Sequence, residues 1–181
     1  MRREELVKEI EIPSDVTVSY EKRLFTAKGP KGEVSRVLYD PFVSLELSEG
    51  KVVVSAKAVG KKEKCIMNTM VAHAANVVKG AATGFSYKLK ICSGHFPMNV
   101  SVKGDVFEVK NFLGEKVPRT VTIKKGAKVT VNAPEIVVEA NDKELAGQVA
   151  ADIEQLTRIT NRDRRIFQDG IYITEKCGKV L

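Results

Sequence analysis

Cysteine is scarce in this 181-residue chain: Cys65, Cys92 and Cys177 are odd in number and show no CxxC spacing. That count excludes a disulfide framework and fits free thiols in a reducing cytosol. Long apolar runs are absent too. Nothing approaches the ~18 consecutive apolar residues of a transmembrane helix, so no membrane partner is expected. The basic start Met1-Arg2-Arg3-Glu4-Glu5 has no apolar segment behind it, so no secretory signal is expected either.

The residue types needed for bond-making chemistry are present but not assembled. Cys65 and His73 fall near one face of a helical stretch, the spacing a thiol nucleophile and its imidazole base would need in a hydrolase. Ala72, Ala74, Ala75 and Val77, however, surround His73 as they would an edge histidine of a packed helix. Cys92 and His95 lie in a linker, with no second pair to complete four metal ligands. Glu135, Glu139, Asp152 and Glu154 read as the solvent faces of a strand and a helix. The expectation is a protein that is not an enzyme and holds neither cofactor nor metal.

What the chain does have is positive charge. Net charge is +7 and the pI about 9.3. A basic balance favours a polyanion, because each phosphate neutralised releases a condensed counterion. The charge is polarised within the second half of the chain. Arg158 to Leu181 carries six basic and three acidic groups, whereas the rest of that half is almost neutral.

Sliding the sequence against itself by 82 residues places Val18 on Val100, Phe25 on Phe107, Gly32 on Gly114 and Glu33 on Glu115. At the same offset Val71 meets Ile153, Val77 meets Ile159, Phe85 meets Phe167, Leu89 meets Ile171 and Ile91 meets Ile173. Ordered matches at one offset indicate an internal duplication. In the first copy Val16, Val18 and Tyr20 alternate with polar residues, as do Val43, Leu45 and Leu47, then Val52 and Val54. Ser48-Glu49-Gly50-Lys51 supplies a hairpin turn. A helix is predicted over residues 63–78, ended by Gly80 and Gly84, with 85–91 as a closing strand. The second copy repeats this with strand pieces at 100–103, 107–110, 118–123, 128–131 and 135–139. Its helix is N-capped by Asn141 with Glu144 as a capping-box partner. Leu145, Val149, Ile153, Leu156 and Ile159 form its buried face.

The fold class is therefore α+β, as two tandem duplicated domains, each a small, mostly antiparallel sheet with one packed helix. The expected boundaries are an extended lead-in at 1–15, a first repeat at 16–93 and a second at 94–181, with Gly94-His95-Phe96-Pro97 at the junction.

Gly29-Pro30-Lys31-Gly32 satisfies the GxxG spacing of KH domains, but it joins two strands rather than two helices and reads as a hairpin turn. Its counterpart, Gly114 to Arg119, sets Lys116 and Arg119 beside a turn, where they are candidate phosphate contacts or equally part of a plain surface loop. The densest candidate site is the stretch from Gln155 to Lys176. Arg164, Arg165, Lys176 and Lys179 have few equivalents in the first copy, and with Arg162 they form a dense basic set, in which Arg pairs best with phosphate oxygens. Arg158 and Arg162 would also suit the negative end of a helix dipole without any ligand. Phe167, Ile171 and Ile173 match apolar positions of the first copy and are expected in the core, and Asp169-Gly170 is expected as a turn.

Gln155, Ile159, Arg162, Arg165, Phe167, Asp169-Gly170-Ile171-Tyr172-Ile173 and Lys176 together resemble the signature of one family, the universal large-subunit ribosomal protein six family, in its archaeal and eukaryotic branch. The Gly-Pro-Lys-Gly turn, the duplicated layout and the chain length agree with it. The resemblance implies a cytoplasmic ribosomal protein whose second domain grips large-subunit ribosomal RNA near the sarcin–ricin loop, where translational GTPases dock. It also implies neighbouring ribosomal proteins as partners. Family RNA contacts carry over to Arg162, Arg165 and Lys176; Arg164, Lys179, Lys116 and Arg119 follow from charge and loop position. A free-standing RNA-binding module is the alternative.

Overall fold

The computed structural model describes residues 3–48 and 50–181. Met1 and Arg2 of the lead-in, and Glu49 of the first hairpin turn, lie outside the described residues. The chain divides into two compact units, Met1–Gly84 and Phe85–Leu181.

In the first unit, strands β1 (Arg3–Glu11), β2 (Thr17–Glu21), β3 (Leu24–Gly29), β4 (Gly32–Val37), β5 (Val43–Ser48) and β6 (Lys51–Val59) precede helix α1 (Lys61–Ala82). They form two antiparallel sheets, β1-β6-β5 and β2-β3-β4. Alternation determines which side chains point inward: Phe25 and Ala27 on β3, and Val52, Val54 and Ala56 on β6, are buried. They meet Met67, Met70, Ala74, Val77 and Ala81 of α1, which recur at helical spacing. Removing a side chain the size of Phe25 from water contributes about 1.5–3 kcal/mol.

The second unit begins with β7 (Phe85–Cys92), β8 (Asn99–Lys103) and β9 (Val106–Lys110), then a single 3-10 turn at Phe112–Gly114. β10 (Arg119–Thr122), β11 (Ala127–Asn132), β12 (Glu135–Ala140), helix α2 (Lys143–Leu156), β13 (Gly170–Lys176) and β14 (Lys179–Val180) follow. Its sheets are β10-β9-β8 and β11-β12-β7-β13-β14. Phe107, Phe112, Leu89, Ile136, Ile153 and Ile171 fill its core. The α+β class and the tandem antiparallel layout agree with expectation, with two sheets rather than one in each unit.

Two boundaries differ from the sequence reading. Residues 3–11, expected as an extended lead-in, form a strand paired along its length with β6. Residues 85–92, expected to close the first repeat, instead lie between β12 and β13 at the centre of the second unit's large sheet. Arg3 and Phe85 are one repeat length apart. Each repeat therefore opens with a strand laid antiparallel on the strand that precedes its helix, and the order β1-β6-β5 recurs as β7-β12-β11. Apolar alternation identifies a strand but carries no information on its partner, so the pairing of β7 with β12 and β13 is not visible in it.

The helices differ in detail too. Gly80 is buried inside α1, and Gly84, at φ +72°, supplies the left-handed residue after its end. The N-cap of α2 is Asp142 rather than Asn141: its carboxylate accepts from the Glu144 amide at 3.0 Å. Most consequentially, α2 stops at Leu156, so Ile159 lies beyond the helix instead of on its last turn.

Candidate nucleic-acid interface

Helices α1 and α2 start one repeat length apart, at Lys61 and Lys143, yet they run for 22 and 14 residues. The residues that would make the last two turns of α2 are Thr157-Arg158-Ile159-Thr160-Asn161-Arg162-Asp163-Arg164. Threonine, isoleucine, asparagine and aspartate all disfavour helix, through restricted rotamers or side chains that compete for backbone partners. Buried Thr157 makes the break. Its hydroxyl turns back to the Glu154 carbonyl at 3.3 Å and accepts from the Ile171 amide at 2.9 Å. Asn161, at φ +58°, takes the left-handed conformation that Asn tolerates best after Gly. Residues 157–169 therefore form a loop between α2 and β13.

Carbonyls at the C-terminal end of α2 need donors. The Glu154 and Gln155 carbonyls accept from the Thr157 and Arg158 amides at 3.3 and 3.1 Å, and the side chain that reaches the helix end is, in place of Arg158 or Arg162, that of Arg119. Its Nη1 donates to the Leu156 carbonyl at 2.8 Å and to the Arg158 carbonyl at 3.3 Å. Nε and Nη2 fork onto Glu115 at 2.8 and 2.6 Å, and the guanidinium lies 4.3 Å from the Phe112 ring centroid. Arg119, a candidate phosphate contact from sequence, is thus committed to holding the helix end and the β9–β10 connection. The Arg119 hydrogen bond holds the Glu115 carboxyl below its usual range against the opposing effect of burial, and the Arg162 charge adds to it. Arg162 is thus within electrostatic range of Glu115, the residue before exposed Lys116.

Arg162, Arg164 and Arg165 are all exposed on the loop. The Arg165 side chain is 89 % exposed and pairs with Asp163 at 2.7 Å. Hydrogen bonds from the Arg165 side chain and backbone hold the Asp163 carboxyl low. Arg162 lies over Phe167, its guanidinium carbon 4.9 Å from the ring centroid. Phe167, expected in the core, is only half-buried and stacks on the His95 ring at 4.8 Å and 24°. His95 in turn gives Nδ1 to Asp169 at 2.5 Å.

Asp169 is 2 % exposed and is more than a turn residue. Its carboxylate also accepts from the Gly94 amide at 2.5 Å and the His95 amide at 2.9 Å. Burial pushes its pKa up, but these hydrogen bonds together outweigh burial and hold the carboxyl below its ordinary value. Glu154 performs a similar task by accepting from the Ile173 amide at 3.0 Å. The sequence gives no sign of Asp169's role, since its partners are 74 and 75 residues away. An acidic side chain directly before a glycine reads locally as a turn.

Lys176 and Lys179 are exposed and directly opposite one another across β13 and β14. Like charges in that position repel unless an anion joins them. They stand at the far end of β13 from the arginine loop, about 20 Å away at the strand rise of ~3.3 Å per residue. The expected basic site is therefore two clusters: Arg162, Arg164, Arg165 and Lys116 at one end, Lys176 and Lys179 at the other. In the first unit, Gly29-Pro30-Lys31-Gly32 is the hairpin turn expected, with Gly29 paired to Gly32. Cys65 is exposed on α1, and among the described residues no group of three His, Cys, Asp or Glu side chains is placed to hold a metal. No described helix is long and apolar enough to cross a membrane.

A family model described as Ribosomal protein L6 matches residues 12–84 and again 96–170, one match within each unit. Among curated proteins, the large ribosomal subunit protein uL6 of Methanosarcina mazei is 47 % identical over 173 residues, covering 96 % of this chain and 98 % of that protein. The protein of the same name from Methanococcus vannielii is 44 % identical over 173 residues, covering 96 % of this chain and 95 % of its own length. With a duplicated match across both units and such identity over almost its whole length, the chain belongs to the ribosomal protein L6 family, a family of ribosomal proteins and not of enzymes.

Proposed function

We propose that the chain is a structural constituent of the large ribosomal subunit, holding large-subunit rRNA mainly through its second unit and touching neighbouring ribosomal proteins. The observation that carries this reading is the loss of the last two turns of α2. The residues concerned are spent on a loop that presents Arg162, Arg164 and Arg165 to solvent. Lys116 extends that surface, and the Lys176–Lys179 pair offers a second point of attachment to the same polyanion. Arg119 serves as a positioning residue that fixes the loop's starting point. Guanidinium forks suit phosphate oxygens, so binding is largely electrostatic and shape-directed. We place the contact near the sarcin–ricin loop and the docking region of translational GTPases on the strength of the Gln155–Lys176 motif. A ribosomal role locates the protein in the cytoplasm.

Replacing Arg162, Arg164 and Arg165 together by Ala should leave the fold intact and weaken binding to a large-subunit rRNA fragment. The logarithmic salt slope should fall by about 0.7–0.9 for each phosphate contact removed. Unchanged affinity and slope would remove the arginine loop from the site. Chemical footprinting of the sarcin–ricin region in assembled subunits tests the location. The second reading, a free-standing RNA-binding module, predicts a protein that leaves large subunits in moderate salt; stable co-sedimentation rejects it.

A further inference from the structure

Two clefts flank the arginine loop, and Tyr172 forms a wall of both. The first, about 590 Å³, is bounded by Cys92, His95, Ile166, Gln168, Asp169 and Tyr172. Among these walls Asp169 is already engaged by two backbone amides and the His95 ring, which leaves a largely apolar and aromatic hollow. The second, about 640 Å³, is lined by Arg158, Arg164, Arg165 and Phe167, with Glu154 nearby. Glu154 sets one carboxylate against three guanidinium groups there, so the cleft keeps a positive balance, and its Oε1 is turned to the Ile173 amide.

Two features here are unexplained by phosphate binding alone. Ile166, within the arginine run, is 64 % exposed, and Tyr172 is 40 % exposed on a strand whose neighbours Ile171 and Ile173 pack inward. The Tyr172 ring is held in place. Its hydroxyl donates to the Gln168 carbonyl at 3.2 Å, and its ring crosses Gly170 so closely that a Cβ there would lie 3.1 Å from it. An aromatic ring locked between an apolar hollow and a guanidinium-lined one matches the two halves of a nucleotide: a flat base and a charged phosphate.

We propose that the two clefts form one bipartite nucleotide site, in which an unstacked rRNA base enters the hollow bounded by His95, Ile166 and Tyr172 while phosphates of the same strand lie against Arg158, Arg164 and Arg165. The site rests on the rRNA-binding reading above and sharpens it, since it takes a splayed single-stranded nucleotide rather than duplex. Sequence-tolerant binding is expected, because every base has a face to stack. Arg165 must exchange Asp163 for phosphate on binding.

The test measures binding of the full chain to a labelled large-subunit rRNA fragment across a salt series. Tyr172→Leu and Ile166→Ser should each weaken binding, Tyr172→Leu by about tenfold as for loss of one base–aromatic stack, with the salt slope unchanged. Tyr172→Phe keeps the ring and should bind nearly as the parent. Arg164→Ala should weaken binding and flatten the slope. A scan of single abasic substitutions through the fragment should find one position where base removal weakens the parent protein but not Tyr172→Leu. Parent-like binding by Tyr172→Leu and Ile166→Ser, with Arg164→Ala still weakened, overturns the base cleft and leaves the rRNA reading standing. If Arg164→Ala is neutral as well, both fall.

Discussion

The C-terminal ends of the two helices show how one repeated unit acquired a task the other lacks. In the first unit α1 runs to Ala82, and the backbone of the β3–β4 hairpin turn meets its end. The Lys31 amide donates to the Ala81 carbonyl at 3.1 Å, and a Cβ on Gly29 would lie 2.6 Å from that same oxygen. In the second unit the helix ends at Leu156, and the guanidinium of Arg119 donates to its carbonyl at 2.8 Å. A backbone cap needs the helix long and the turn close. A side-chain cap spans a gap, which permits the helix to be shorter and frees residues 157–169 for an exposed arginine loop. Divergence of one cap thus accompanies divergence of one surface.

The largest effect should come from Asp169, which has no acidic counterpart one repeat earlier, where Tyr87 stands. Asp169→Ala strands two amides and the His95 ring and should cost about 3 kcal/mol in denaturant unfolding, as for hydrogen bonds to a charged group. A variant as stable as the parent would show that the loop does not depend on this anchor. The same carboxylate sets an acid dependence. Its folded pKa lies below the unfolded value of about 3.9, so its stabilisation is fully present above pH ~4 and is lost as pH falls through the lower folded value. Asp169→Asn should flatten that part of the stability–pH curve, which equilibrium unfolding between pH 2 and ~5 would resolve.

Next in size, Gly29→Val sets a branched side chain against the Ala81 carbonyl. It should destabilise the first unit by about 1–3 kcal/mol, read from thermal unfolding. The equivalent change in the second unit, Asn111→Val, should fail differently, through its left-handed φ of +59°. Arg119→Ala should cost about 1–2 kcal/mol by leaving the Leu156 carbonyl short of a donor. Arg119→Lys should recover little, because an ammonium cannot fork onto Glu115 while reaching two carbonyls. If Arg119→Ala unfolds with the parent, the side-chain cap is not a substitute for the hairpin cap. Smallest of all, Asp163→Asn should leave the melting temperature unchanged and tighten rRNA binding at low salt only, since it releases exposed Arg165 from its partner.

Much of this was legible in the residues. Val16-Val18-Tyr20 and Val52-Val54 announce strands by period two, and the 82-residue offset announces the duplication. Arg162, Arg164 and Arg165 stand out because the first copy has alanine and threonine nearby. Other features were not legible. Phe167 carries an apolar residue's pattern and reads as core, yet its ring contacts are His95 and Arg162. Ile159 continued the stripe of Leu145, Val149 and Ile153, so nothing in periodicity signalled that α2 ends before it. Arg119 offered a positive charge near a turn. Whether such a charge faces phosphate or a helix carbonyl is decided by what lies opposite.

The sequence by itself determined the class of the fold, its duplication and the location of positive charge, because period, offset and composition are properties of the chain read in order. Tertiary structure alone decided which repeat owns the strand at 85–92 and which cations remain free. It likewise decided that Asp169 anchors a segment 74 residues away. Each of these depends on partners distant in sequence, and hydrogen bonds and ring contacts act over a few ångströms in space, whatever the separation along the chain.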